Sequence, residues 1–213
     1  MKSLGNVFII GDSYSTFEGY IPEGYAVYYT YGEDDGVSVV KPEQTWWGLL
    51  IAETGSHLLR NCSYSGSTVC NTGYGGTDCR DTSFIGRFDA LDRKGFFEKN
   101  KVDTMLIFGG TNDSWAEAPK GEIKLSDITE EDKYNALQAF CYLINRSKET
   151  LPDSRIICII NTELDEIITE GYKKVCEKTG TEYIVLHDIE KIEGHPDRNG
   201  MRQIASQIEK SVR

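Results

Sequence analysis

Apolar residues along the chain fall into two rhythms: short unbroken runs, and stripes at spacings of three and four. Five runs read as strands: Val7–Ile10, His57–Arg60, Thr104–Phe108, Arg155–Ile160 and Glu182–Leu186. Most are continuous rather than alternating, as expected of strands covered on both faces. Helical stripes separate them. Glu43–Glu53 carries Trp46, Trp47, Leu49, Leu50 and Ala52, and Asp132–Thr150 places Leu137, Phe140, Cys141 and Ile144 on one side. Glu163–Lys178 repeats the pattern with Leu164, Ile167, Ile168 and Val175, and Asn199–Val212 with Met201, Ile204, Ala205, Ile208 and Val212. Strands alternating with helices imply right-handed crossovers and a parallel sheet. The pattern predicts an α/β fold with five parallel strands in the order 2-1-3-4-5.

Three stretches are too long for ordinary connections. Thr16–Val40 holds Tyr20, Tyr25, Tyr28, Tyr29 and Tyr31; Ser63–Phe84 is rich in Gly, Ser, Thr and Asn; Asp113–Thr129 contains Trp115 and Pro119. Long loops in a compact domain are usually functional or disordered. All three leave the carboxyl end of a predicted strand, the edge where open α/β sheets bind ligands. That placement predicts a pocket lined by aromatic side chains, with Tyr14, Tyr20, Tyr25, Trp46 and Trp115 as candidates. Trp46 and Trp47 are adjacent on a helix, so the spacing predicts that only one faces the core.

Composition narrows the partners. The 213 residues carry 34 acidic and 23 basic side chains, a net charge of −11, with no run of five like charges. Nucleic acid and anionic membrane surfaces require basic patches and are excluded as partners. No apolar stretch reaches the roughly 18 residues of a membrane span. The N-terminus lacks the apolar core of a signal peptide, which predicts a cytoplasmic protein. Length and the absence of a linker predict one domain over 1–213. The six cysteines form no C-x-x-C pair and no histidine spacing suggests zinc, so neither metal nor cofactor is expected. Cys141 and Cys158 read as buried thiols; Cys62, Cys70 and Cys79 cluster around the second loop, where a disulfide is disfavoured in a reducing compartment.

The candidate chemistry lies at the strand ends. Gly11-Asp12-Ser13 follows the first strand directly; Gly11 reads as the residue that lets the backbone turn, and Ser13 as a hydroxyl presented at the corner. Asn61-Cys-Ser-Tyr-Ser65-Gly66 follows the second strand, Gly110-Thr-Asn112-Asp113 the third, and Gly194-His195-Pro196 precedes the last helix. In a parallel sheet these ends converge on one edge. A serine can attack a carbonyl and a histidine can take its proton. The Ser13 and Gly66 amides and the Asn112 side chain could donate to the developing oxyanion. Asp12 and Asp113 read as turn aspartates bracing backbone amides. Asp12 is also a weaker candidate for substrate contact. Arg87 reads as a solvated surface side chain or as a partner for an anionic substrate group. His57 and His187 read as packing or surface residues.

These four blocks, in this order, resemble the SGNH hydrolases, the GDSL-type esterases and lipases. The resemblance implies a flavodoxin-like three-layer α/β/α sandwich without metal. It also implies Ser13 as nucleophile, His195 as base, and Gly66 with Asn112 in the oxyanion hole. One position departs. The family places an aspartate three residues before the histidine; here it is Ile192. Asp188, Glu190, Glu193 or a backbone carbonyl could orient the imidazole instead. The expected activity is hydrolysis of a small acyl ester, favoured as an O-acetyl group on a carbohydrate because tyrosine-rich loops suit stacking on a sugar ring. Lysophospholipase or thioesterase chemistry, and a non-catalytic binding module on the same fold, are the rivals.

Overall fold

The computed structural model describes residues 3–212. In chain order its elements are β1 (Asn6–Gly11), α1 (Trp46–Thr54), β2 (His57–Asn61), α2 (Phe84–Arg93), α3 (Phe96–Lys99), β3 (Thr104–Gly109) and α4 (Thr111–Trp115). They continue with α5 (Ala136–Thr150), β4 (Arg155–Ile160), α6 (Glu166–Thr179), β5 (Glu182–Val185), β6 (Lys191–Ile192), β7 (His195–Pro196) and α7 (Arg198–Val212). The main sheet runs β2-β1-β3-β4-β5, all parallel, as the sequence predicts.

The unbroken runs are explained by burial on both faces. On β1, Phe8 and Ile10 point to one side, and Val7 and Ile9 to the other. β3 and β4 do the same, with Met105, Ile107, Ile156 and Cys158 against Leu106, Phe108, Ile157 and Ile159. The first side packs on α2, α5 and α6 through Phe88, Phe140 and Tyr172; the second packs on α1 and α7 through Leu50, Ile204 and Ile208. The result is three layers, helices on each face of the sheet. All six cysteines are free thiols.

Three differences from the sequence reading bear on the site. A helix, α2, lies between β2 and β3 where none is predicted. Ser83 caps it by accepting from Gly86 N at 3.1 Å, and Phe84, Ile85, Phe88 and Leu91 are its buried apolar face. Trp46 and Trp47 are both buried, because α1 is covered by α7 on one side and by the 16–40 loop on the other. Trp46 packs edge-on against Phe108, and Trp47 against Tyr20 from the loop. Gly11 is required for room rather than for a turn. A Cβ there would sit 2.6 Å from Ser15 Oγ and 2.8 Å from Ser63 Oγ, far inside van der Waals contact.

Candidate active site

Ser13 opens a single 3-10 turn at the end of β1, Ser13–Ser15. Asp12 caps it, its Oδ1 accepting from Tyr14 N at 3.1 Å. The turn is fixed from outside as well: Asn61 Nδ2 and Trp47 Nε1 both donate to Ser15 O, at 2.7 and 3.0 Å. His195 arrives from the other end of the chain on a two-stranded hairpin in which Ile192 pairs with His195. The turn residues Glu193 and Gly194 have φ of +49° and +79°, the left-handed pair of a two-residue hairpin. Gly194 is needed there twice over, since a Cβ would also press on the Trp115 ring at 3.1 Å.

These elements place Ser13 Oγ 2.9 Å from His195 Nε2. The other ring nitrogen, Nδ1, faces Glu193 O at 3.3 Å. With Nδ1 protonated toward that carbonyl, Nε2 is free to accept the serine proton. Burial, together with the nearby Lys191 cation, lowers the His195 pKa below its ordinary value, which favours the neutral, proton-accepting imidazole. Lys191 is itself anchored by Thr162 Oγ1 at 2.7 Å and Glu163 Oε2 at 2.8 Å.

The donors expected around an oxyanion are held by a connected set of bonds. Asn112 lies in the first turn of α4; its Nδ2 gives one bond to Ser67 O at 3.0 Å, and its Oδ1 accepts from Tyr74 OH at 2.7 Å. This fixes the amide plane and leaves its second N–H unused. Asp113 accepts from Val69 N and Cys70 N at 2.8 and 3.1 Å, stitching the Gly66 loop to α4. Tyr64 N donates to Gly11 O at 3.1 Å, bringing the same loop to the end of β1. Among the described residues, neither the Ser13 nor the Gly66 amide donates to another group.

Several expected site residues lie elsewhere. Arg87 is not on the surface: it is 1% exposed and donates to Thr82 O at 2.9 Å, Gly11 O at 3.1 Å, Ser67 Oγ at 2.9 Å and Cys62 O. It braces the loop ends and cannot meet a substrate. Asp12, Tyr14 and Trp46 are likewise fully buried. Tyr14 OH donates to Gly194 O, so this residue ties the serine turn to the histidine hairpin. Tyr20 packs on Phe17 and Trp47, and Tyr25 on Tyr64, neither against the Ser–His pair. Two of the expected aromatics border the pair: the buried Tyr14 ring lies 5.4 Å from that of His195, and the Trp115 ring, 44% exposed, lies 5.7 Å away. Asp188 accepts from exposed His187 Nδ1 at 2.9 Å, and Glu190 from Gln203 Nε2 at 2.9 Å. Glu193 reaches the imidazole through its backbone, not its carboxylate.

Three residues near the pair escape the sequence reading: Tyr28, stacked on the imidazole; Tyr74, on Asn112; and Lys191. Tyr28 is one tyrosine among five in its loop, and no spacing distinguishes it. A cavity of 350 Å³ opens beside His195, lined by Tyr28, Tyr31, Val39, Ile192 and Glu193 among others.

Burial raises the Asp12 carboxyl to about 7, and its Oδ2 makes no well-formed hydrogen bond. The folded chain therefore keeps a proton that the unfolded chain loses above its ordinary pKa of 3.8. Stability is full below that value, falls as pH rises, and the loss is complete once pH passes about 7. Asp12→Asn removes this loss. Its melting temperature is expected to gain on wild type more at pH 8 than at pH 4.5; an equal difference at both would contradict a buried, protonated carboxyl.

A profile of the GDSL-like lipase/acylhydrolase family matches residues 5–212. Two crystal structures of proteins assigned as GDSL-like lipases are similar over nearly their whole length. The Bacteroides uniformis protein is 44% identical, covering 98% of this chain and 95% of its own, with a TM-score of 0.88. The Bacteroides ovatus protein is 39% identical, covering 98% of each chain, with a TM-score of 0.89. A family two carbohydrate esterase from Clostridium thermocellum, solved with cellohexaose, shares the fold at 16% identity; the match covers 100% of this chain and 64% of that one, with a TM-score of 0.65. Comparison with curated proteins gives no match. The chain belongs to the GDSL-like lipase/acylhydrolase family. It is an ester-bond hydrolase. No helix among the described residues is long and apolar enough to cross a membrane.

Proposed function

We propose that the chain is a serine esterase that removes a small acyl group, with O-acetylated carbohydrate as the favoured substrate class. The observation that carries this reading is the 2.9 Å contact between Ser13 Oγ and His195 Nε2. Ser13 attacks the ester carbonyl and gives its proton to Nε2. The Ser13 and Gly66 amides and the free N–H of Asn112 receive the negative charge. His195 returns the proton to the departing alcohol, leaving an acyl-serine, and then activates the water that hydrolyses it. The Glu193 carbonyl takes the orienting place of the absent aspartate.

The carbohydrate reading draws on the surroundings of the pair. Exposed aromatic rings border the approach: Tyr28, Tyr31, Tyr74 and Trp115 are 42–57% exposed. Such rings offer apolar faces with polar rims, suited to stacking on a sugar. The neighbouring cavity mixes tyrosine, serine and acidic side chains with valine, and does not form an apolar channel for a long acyl chain. The carbohydrate esterase solved with cellohexaose shares the fold and agrees with this choice. The test compares hydrolysis of acetylated sugars, p-nitrophenyl acetate and long-chain p-nitrophenyl esters by wild type and Ser13→Ala. Ser13-dependent release of acetate, with kcat/KM at least tenfold above that for long chains, is expected. A preference for long acyl chains would assign lipase-type chemistry, and equal rates for wild type and Ser13→Ala would leave only ligand binding.

A further inference from the structure

In a Ser–His–acid triad the acid has two jobs. It orients the imidazole, and its charge stabilises the imidazolium that forms when the serine gives up its proton. Here the Glu193 carbonyl can perform the first, at 3.3 Å, a long contact for an N–H···O bond. An uncharged carbonyl does little of the second. Among the described residues, no carboxylate oxygen bonds to either ring nitrogen of His195.

Aromatic rings surround the imidazole instead. The Tyr28 ring lies parallel to it, with centroids 3.7 Å apart and planes 9° apart. Tyr14 is tilted at 5.4 Å and Trp115 stands nearly edge-on at 5.7 Å. The loop carrying Tyr28 is anchored on both members of the pair. Thr16 Oγ1 accepts from Tyr28 N at 2.9 Å and donates to Ser13 O at 3.0 Å, so one hydroxyl links the stack to the serine turn. Tyr29 OH donates to Pro196 O at 2.8 Å, linking the next residue to the one after His195.

We propose that Tyr28 is a positioning residue for His195, its ring clamping the imidazole in plane and stabilising the imidazolium in place of the missing acid. A cation over the face of a tyrosine ring is attracted by the ring's quadrupole, whereas a neutral imidazole gains much less. The interaction therefore grows as the proton moves, which is what lowers a barrier rather than merely tightening a ground state. The other titratable groups around the stack are Lys191 on the hairpin, the charged neighbour of the imidazole, Glu163 paired with Lys191, Tyr14 on the serine turn and Glu193, whose charge lies near Tyr28; Asp197 after β7 is turned to cap α7 at Gly200 N. Lys191 opposes the imidazolium, and Glu163 neutralises part of that charge.

The proposal rests on His195 acting as the base of the esterase, so its test separates the two. Tyr28→Phe keeps the ring; Tyr28→Leu keeps apolar cover over the imidazole but removes the π face. For Tyr28→Leu we expect kcat on p-nitrophenyl acetate to fall about 3- to 30-fold with little change in KM. The acid limb of the rate profile should also move to lower pH, because the imidazolium has lost its stabilisation. Tyr28→Phe should restore both. NMR titration of the His195 ring protons in the inactive Ser13→Ala background reads the same shift without turnover. A Tyr28→Leu variant with an unmoved or upward-shifted acid limb and imidazole titration overturns the clamp, since simple loosening hydrates the ring. Absence of Ser13-dependent turnover in wild type would instead overturn the esterase reading, while the titration would still report on the stack.

Discussion

Ser13→Ala and His195→Ala are each expected to lower kcat on p-nitrophenyl acetate by about 10⁴- to 10⁶-fold, and the double variant no further. The two side chains act as one unit: without the imidazole the hydroxyl keeps its proton, and without the hydroxyl the imidazole has nothing to activate. Their losses should therefore fail to add. In the proposed mechanism, residual rate over the uncatalysed reaction would come from the amides at positions 13 and 66 and from Asn112, the proposed oxyanion donors. The wild-type acid limb should fall below the ordinary imidazole range, because burial and Lys191 hold the His195 pKa down. The activity should persist into mildly acidic buffer and decline as the imidazole gains its proton. Additive losses in the double variant would mean that Ser13 and His195 serve separate steps.

Arg87→Met is expected to destabilise the fold by about 3–5 kcal/mol, the sum of several unmet buried polar groups, read as a lowered urea midpoint at unchanged slope. The guanidinium is 1% exposed and sits over the Phe84 ring at 4.8 Å. It donates to carbonyls at the ends of both β1 and β2, Gly11 O and Cys62 O, and to Ser67 Oγ in the loop carrying Gly66. Methionine fills the volume but takes the guanidinium donor away from Cys62 O, Thr82 O and Ser67 Oγ and leaves Gly11 O with Tyr64 N alone; an unmet buried polar group costs more than a hydrogen bond returns. The same bonds hold the Gly66 loop against the serine turn, so kcat should fall alongside stability. A loss under about 1 kcal/mol would show that water or a rearranged side chain replaces the guanidinium.

Arg87 also shows why parts of the molecule are hidden in the sequence. The central strands β1, β3 and β4 are legible because burial on both faces leaves runs such as Thr104–Phe108 almost unbroken; the edge strands β2 and β5 are partly exposed and show only short apolar stretches, Leu58-Leu59 and Tyr183–Val185. The helix α2 is not. Its apolar face is broken by Arg87 itself, a charged residue turned inward to satisfy strand-end carbonyls, so charge there signals burial rather than solvent. Trp46 and Trp47 mislead for a related reason: periodicity assumes one covered face, and α1 is covered by α7 and by a long loop.

The site divides the same way. The residues of the proposed site, Ser13, Gly66, Asn112 and His195, can be singled out because each follows a strand or precedes a helix in a recognisable block, and topology brings strand ends together. A backbone carbonyl is among the supports the sequence allows for His195, but which group it is cannot be read there, because every residue has a carbonyl. What aims the Glu193 carbonyl is the left-handed Glu193-Gly194 turn, and Ile192 is simply the residue across the hairpin. Tyr28 is hidden by redundancy. Five tyrosines share its loop, and the Thr16 hydroxyl and the Tyr29–Pro196 bond decide which one meets the imidazole.

The central claim is that Ser13 becomes covalently acylated during turnover. Incubation of wild type, Ser13→Ala and His195→Ala with a fluorophosphonate probe, followed by peptide mass spectrometry, tests it directly. Stoichiometric labelling of Ser13 is expected in wild type, none at this position in Ser13→Ala, and strongly slowed labelling in His195→Ala. An unlabelled Ser13 in a wild-type sample that still hydrolyses p-nitrophenyl acetate would contradict it.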